Sequence, residues 1–158
     1  MISGMKPEFL HLNVGWNAEP NAPDPEVETQ GRDIILRFYV NPFKFREFAE
    51  DELGFLRFVN CERYRLGPTN DEGWYRGQCR FSQIAPEWGE FYEVAGDSKA
   101  LDGPTDWRVL NTRGVGEHHH FLFYFRDNTF ECVAERCVIE SRPDNSLQRR
   151  GKPLPAFG

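Results

Sequence analysis

A chain of 158 residues is expected to form one domain, and at this length folding removes roughly 70% of the unfolded surface from water. The composition is 39% hydrophobic and 15% aromatic, which excludes a disordered chain. The net charge of -6 argues against nucleic-acid binding, because attraction to phosphate needs a basic surface. No stretch has the pattern of a membrane span or a signal peptide, so we expect a cytoplasmic protein with no membrane partner.

The fold class follows from the residue types. Phe, Val, Tyr, Gly and Pro are plentiful while Ala, Leu and Lys are sparse, which favours strands joined by tight turns. We predict a mainly β domain over residues 1–140, an antiparallel sandwich or partly open barrel with one short helix. Residues 1–32, rich in Pro and Gly, are expected to be mostly irregular, apart from a short strand allowed within 9–14. Residues 141–158 are polar and are expected to form a flexible tail.

The elements are predicted from periodicity, in chain order. Residues 33–40 (DIILRFYV) alternate with period two, which predicts a strand. Residues 43–53 (FKFREFAEDEL) space their apolar positions three to four apart, and this spacing predicts the helix. Residues 55–66 (FLRFVNCERYRL) alternate again and predict one long strand. Turn-forming residues and shorter alternating runs predict a loop at 67–73 and strands at 74–81, 90–94 and 107–110.

A hairpin is predicted in the stretch HHHFLFYFRDNTFECVAE, with a two-residue turn at Asp127-Asn128. Counting from that turn gives the cross-strand neighbours. On one face Phe125 lies opposite Phe130, Phe123 opposite Cys132 and Phe121 opposite Ala134; on the other, Tyr124 lies opposite Glu131, Leu122 opposite Val133 and His120 opposite Glu135. The phenylalanine face is expected to enter the core, with His119 at its start.

The other face of the hairpin is expected to stay in solvent with His118 and His120. Because His118 and His120 share a face, they could bind a divalent metal such as Zn²⁺ if Glu135 supplied a third ligand. The simpler interpretation is a partly exposed pair between His120 and Glu135. The sequence favours that interpretation and no cofactor, and keeps a metal protein or metal-dependent enzyme as the alternative.

The four cysteines lack the C-x-x-C spacing of a zinc or redox motif, and in a reducing compartment they are expected to be small core residues. Cys79 lies near two arginines and is the better of two candidate nucleophiles, Cys79 and Cys132. No base can be placed beside it, so an enzyme is the less favoured interpretation.

A recognition surface is suggested by the arginines. Arg57, Arg63 and Arg65 fall on one side of the strand predicted at 55–66, and Arg76 and Arg80 share a side of the next one. Together they could bind an anionic ligand or an acidic segment, or they could pair with neighbouring acids, which is the favoured interpretation. Trp16, Trp74 and Trp88 lie in turn-rich stretches, which is typical both of binding surfaces and of residues that cover the ends of a core.

The stretches RLGPTNDEGWYRGQCRFSQIAPEWGEFYEV (65–94) and HFLFYFRDNTFECVAE (120–135) resemble a family of bacterial conserved hypothetical proteins without an assigned activity. The resemblance spans residues 15–135 and implies a discrete bacterial module. It supplies no catalytic residue.

These observations predict a cytoplasmic binding module that neutralises or scaffolds a protein partner, or holds a small anionic ligand. The contact surface is expected on the polar face of the hairpin and the 67–73 loop. The candidate binding residues are Arg63, Arg65, Trp74, Arg76, Tyr124 and Glu131.

Overall fold

The computed structural model describes residues 8–68, 90–95, 106–111, 118–125, 128–140, 154, 155 and 157. Within them the chain forms strands β1 (Glu8–His11), β2 (Glu26–Gln30), β3 (Asp33–Tyr39), β4 (Leu53–Val59), β5 (Arg63–Pro68), β6 (Phe91–Ala95), β7 (Arg108–Val109), β8 (His119–Tyr124), β9 (Asn128–Ala134) and β10 (Arg136–Ile139). The predictions at 33–40, 90–94 and 107–110 correspond to β3, β6 and β7. The strand predicted at 74–81 and residues 69–73 lie outside the described residues.

The strands form two antiparallel sheets. The six-stranded sheet has the order β1-β6-β8-β9-β5-β7, and the four-stranded sheet has the order β10-β4-β3-β2. Buried side chains from both sheets form one hydrophobic core, and the described strands of neither sheet close into a barrel. The predicted mainly β fold is therefore confirmed as a sandwich. No described segment forms a helix long and apolar enough to span a bilayer.

Aromatic rings fill the space between the sheets. Phe123 stacks on Phe125 with ring centroids 4.2 Å apart and meets Phe38 of the opposite sheet at 5.1 Å. Trp16 is completely buried and lies 6.1 Å from Phe123, so this tryptophan closes the core instead of offering a binding surface. Contacts of this kind add to the hydrophobic gain from burying the rings.

The phenylalanine face of the hairpin enters the core as predicted: Phe121, Phe123, Phe125 and Phe130 are at most 3% exposed. The predicted register is wrong by two residues, because Phe123 lies opposite Phe130 and Phe121 opposite Cys132. A hydrogen bond from the Phe125 N–H to the Asn128 carbonyl closes the pairing at 2.8 Å, so the strands meet one residue earlier than expected. A shift of two leaves every side chain on its predicted face.

The helix predicted at 43–53 is wrong; the chain forms turns there and enters β4 at Leu53. The Asn41 side chain accepts hydrogen bonds from the N–H groups of Phe43 and Lys44, which sets a turn in place of a first helical turn. Asp51 has φ +63, and the Glu52 carbonyl accepts the Val40 N–H at 2.9 Å. Pairing with β3 thus outweighs a weak helical pattern.

The single strand predicted at 55–66 is also wrong. Asn60, at φ +49, turns the chain between β4 and β5, and these two strands belong to different sheets. Arg57 is therefore separated from Arg63 and Arg65, and these three arginines do not share one side of a single strand. Arg76 and Arg80, the other members of the possible arginine patch, lie outside the described residues.

The described residues near each end of the chain belong to the strands or to the core. β1 (Glu8–His11) overlaps the first part of the strand allowed at 9–14, and β2 lies in a stretch expected to be mostly irregular. Leu154 of the predicted flexible tail is 5% exposed and packs into the core. It approaches β4 closely, since a Cβ at Gly54 would lie 3.1 Å from Leu154.

Candidate functional site

The outer face of the six-stranded sheet brings several of the predicted site residues together. Arg65 of β5 lies opposite Glu131 of β9, which lies opposite Leu122 of β8. His120 is two residues from Leu122 and so shares its face. Three ionisable side chains from three neighbouring strands therefore meet on the face that the sequence alternation predicted to be exposed to solvent.

Glu131 lies at the centre of this group. Its carboxylate contacts His120 Nε2 at 2.7 Å through Oε1 and accepts a hydrogen bond from Arg65 Nη1 at 2.8 Å through Oε2. Arg65 also donates through Nε to Asp106 at 2.7 Å. We call His120, Glu131, Arg65 and Asp106 the buried ion network. Glu131 is 0% and His120 7% exposed, so the network excludes water at its centre.

The electrostatics agree with this geometry. Burial opposes the charge on Arg65, but hydrogen bonding to Asp106 and the charge of Glu131 outweigh it and raise the pKa of the guanidinium above its ordinary value. The hydrogen bond from Arg65 lowers the pKa of Asp106 below its ordinary value of 3.8. An ionised pair of this kind is tightly held, because removing one partner leaves the other buried and uncompensated.

The remaining predicted binding residues have separate environments. The Arg63 guanidinium lies over the Trp107 ring at 4.8 Å, a cation–π contact. Tyr124 is 0% exposed, as is Glu131, so neither side chain offers surface to a docking protein. Trp74 and Arg76 lie outside the described residues. The predicted contact face of the hairpin is therefore buried at Tyr124 and Glu131, while His118 on the same face remains 34% exposed.

The three metal candidates bond to different partners. His118 Nδ1 lies 3.3 Å from Glu62, His120 bonds Glu131, and Glu135 accepts from Asn60 and Arg136. The predicted pair between His120 and Glu135 is replaced because His120 lies opposite Val133. His120 is buried, contrary to the expectation that it stays in solvent. Among the described residues, no three His, Cys, Asp or Glu side chains form a group that could hold a metal ion.

The other two histidines are paired with glutamates as well. At the start of β8, His119 Nδ1 contacts Glu93 at 2.8 Å. His11 Nε2 contacts Glu90 at 2.9 Å. Glu90 also accepts from Asn13 and Asn17, which fastens the segment after β1 to the start of β6. Each histidine thus has a structural partner, which the sequence spacing did not reveal.

The described cysteines are core residues, as predicted. Cys61 and Cys132 are 0% exposed, and Cys137 packs against the same core. Burial, and then a hydrogen bond with the Cys61 thiol, raise the pKa of Cys132 well above its ordinary value of 9.0. A thiol held in its neutral form is a poor nucleophile. Cys79 lies outside the described residues.

The four-stranded sheet has a different surface, which the sequence analysis missed. β2 is one of its two terminal strands, and Glu26 and Glu28 are exposed on it. Glu26 pairs with Arg37 of β3, and both side chains are largely in solvent. A groove of about 200 Å³ extends from β2 across β3 to β4 and is lined by Glu26, Val27, Glu28, Ile35, Arg37 and Phe55. We call β2 and this groove the acidic edge.

Alternate residues of β2 direct their backbone N–H and carbonyl groups toward β3. The Tyr39 N–H bonds the Pro23 carbonyl while the Val40 N–H bonds the Glu52 carbonyl, so the odd-numbered residues of β3 direct their backbone groups toward β2. Glu28 lies opposite Ile35, and Val27 lies opposite Leu36. In an antiparallel pair, Glu28 therefore bonds β3 while Val27 and Thr29 direct their N–H and carbonyl groups outward. Within the described chain, β3 is the strand that pairs with β2.

Comparison of the chain with family models, with curated proteins and with solved structures finds no match. The resemblance to the bacterial family stays a prediction.

Proposed function

We propose that this protein is a binding module that neutralises or scaffolds a basic protein partner, and that the partner docks on the acidic edge. The observation that carries the proposal is the exposure of a terminal strand bearing Glu26 and Glu28 in a chain of net charge -6. Complementary charge steers association and selects partners.

The contrast with the other sheet supports this choice of surface. The ionised groups of the buried ion network bond one another, and its central carboxylate is 0% exposed. At the acidic edge, by comparison, the Glu26 and Arg37 side chains are 61% and 43% exposed. A partner can reach these charges without unfolding any element of the sandwich.

We place this role in the bacterial cytoplasm. The described cysteines, Cys61, Cys132 and Cys137, are free thiols. Unpaired thiols fit a reducing compartment. The bacterial origin rests on the family resemblance of residues 65–94 and 120–135.

The experiment compares the wild-type protein with the double variant Glu26→Lys/Glu28→Lys. Both are immobilised and exposed to extract of the native host, and proteins retained by the wild type alone are identified by mass spectrometry. The candidate is then purified and its affinity measured. We expect a basic partner whose dissociation constant rises by about tenfold or more in the variant, because two attractive charges become repulsive.

Glu8→Lys is the matched control, since Glu8 is an exposed glutamate on β1, a terminal strand of the other sheet. Binding that survives Glu8→Lys and is lost in the double variant supports the acidic edge. If no purified partner distinguishes the double variant from the wild type, the proposal is wrong.

A further inference from the structure

We infer that the partner binds by strand addition: an extended segment of it pairs with β2 and continues the four-stranded sheet. This inference rests on the proposed function and specifies how the acidic edge recognises its partner. Exposed terminal strands present unpaired backbone groups that accept another strand, and peptide recognition by this route is common in proteins.

The backbone of β2 defines the register of the added strand. The N–H and carbonyl groups of Val27 and Thr29 point away from β3, as the pairing of odd-numbered β3 residues requires. Four of the five residues of β2 are exposed, and Val27 is intermediate. Among the described strands, none pairs with this edge beyond β3, and an antiparallel or parallel segment can reach both sets of outward groups.

The side chains of β2 define the chemistry of that segment. Glu26 and Glu28 point to the outer face, while Val27 points inward and packs against the core. A strand lying beside β2 places alternate side chains on the same two faces. The matching segment therefore alternates Lys or Arg, which pair with the glutamates, with apolar residues, which cover Val27 and the rim of the core.

A second copy of this chain is a poorer occupant. Pairing β2 with the β2 of another copy would place Glu26 and Glu28 beside the glutamates of the other strand, and like charges at neighbouring positions destabilise a sheet. The charge pattern thus selects against self-association along this edge and favours a basic segment.

The test uses a peptide that alternates Lys and Val over the length of β2. Two comparison peptides accompany it: one with the same composition arranged as a Lys block and a Val block, and one with N-methyl groups on alternate amides. We expect the alternating peptide to bind at low salt, and methylation of the pairing amides to weaken binding by about tenfold or more through lost hydrogen bonds.

A variant of the protein tests the same backbone groups. Thr29→Pro removes an N–H that points outward, so the ladder to β3 keeps its hydrogen bonds. Thr29→Ala is the matched control. We expect Thr29→Pro to lower affinity for the alternating peptide and Thr29→Ala to leave it nearly unchanged. Hydrogen exchange gives a readout independent of any variant: the amides of Val27 and Thr29 should gain protection when the peptide binds.

The outcomes separate the two proposals. If the block peptide binds as well as the alternating one, and methylation and Thr29→Pro change nothing, strand addition is wrong while the charge-based function stands. If no peptide binds at low salt and Glu26→Lys/Glu28→Lys leaves the native partner bound, both proposals are wrong. Sedimentation of the wild-type protein as a dimer that Thr29→Pro dissociates would replace the basic segment with a second copy.

Discussion

Two ion pairs, one on each sheet, differ in their exposure to solvent. On the outer face of the six-stranded sheet, the paired side chains of Arg65 and Glu131 are 15% and 0% exposed. On the four-stranded sheet, the paired side chains of Arg37 and Glu26 are 43% and 61% exposed. The chemical groups are the same and the surroundings are opposite. A buried pair holds its partners because each would be costly alone, while an exposed pair is screened by water and salt. Ion pairs of the same residue types can therefore hold strands together on one sheet and remain accessible to solvent on the other.

The largest expected effect comes from removing Glu131. Glu131→Ala removes the carboxylate that accepts a hydrogen bond from Arg65 Nη1 and contacts His120 Nε2, so both side chains lose a buried partner. We expect a loss of about 3–5 kcal/mol in the free energy of unfolding, the usual range for breaking a buried pair. Urea denaturation measures it.

Glu26→Ala is the matched change at the acidic edge, because it removes the carboxylate that pairs with Arg37. It should cost about 0–1 kcal/mol. Equal losses in Glu131→Ala and Glu26→Ala would contradict the distinction between the two faces.

An intermediate effect is expected from the histidines. His120→Ala removes a buried partner of Glu131 and should cost about 1–3 kcal/mol, the range for an unsatisfied buried group. His118→Ala removes a side chain that is 34% exposed and lies 3.3 Å from Glu62, and should cost less than about 1 kcal/mol. Thermal unfolding of the two variants in the same buffer measures the difference. The reverse order would show that the sequence-based expectation of an exposed His120 was correct.

The inward face of the hairpin could be predicted from the sequence, but its register could not. Alternating phenylalanines identify the core side of β8 whatever residue lies opposite. The predicted and observed pairings differ by two residues, and such a shift leaves every side chain on the same face. The alternation of hydrophobic residues therefore cannot distinguish the predicted register from the observed one. Asp and Asn tolerate positive φ, which favours a turn at Asp127-Asn128, but this local preference does not decide the pairing.

A signal for the closed outer face was present and was missed. Leu122, Tyr124 and Val133 are apolar residues on the side assigned to solvent, so β8 and β9 are apolar on both faces, as strands covered on both sides are. The sequence of the acidic edge gives a weaker signal for a strand. β2 has one apolar residue, Val27, among five, and a terminal strand needs no second apolar face.

The smallest expected effect is the acid dependence contributed by Asp106. Its pKa is lowered in the folded protein by the hydrogen bond from Arg65, so its stabilising contribution is complete above the ordinary value of 3.8 and is lost as the pH falls from there toward the lower folded pKa. The Asp106 side chain is 50% exposed, and solvent screening keeps the contribution small. The difference between the urea midpoints of the wild type and Asp106→Asn should therefore be constant near pH 6, begin to shrink as the pH falls below about 4, and disappear below the folded pKa of Asp106. A gap that stays constant over this range would mean that Arg65 does not perturb Asp106, and the buried ion network would then end at Arg65 and Glu131.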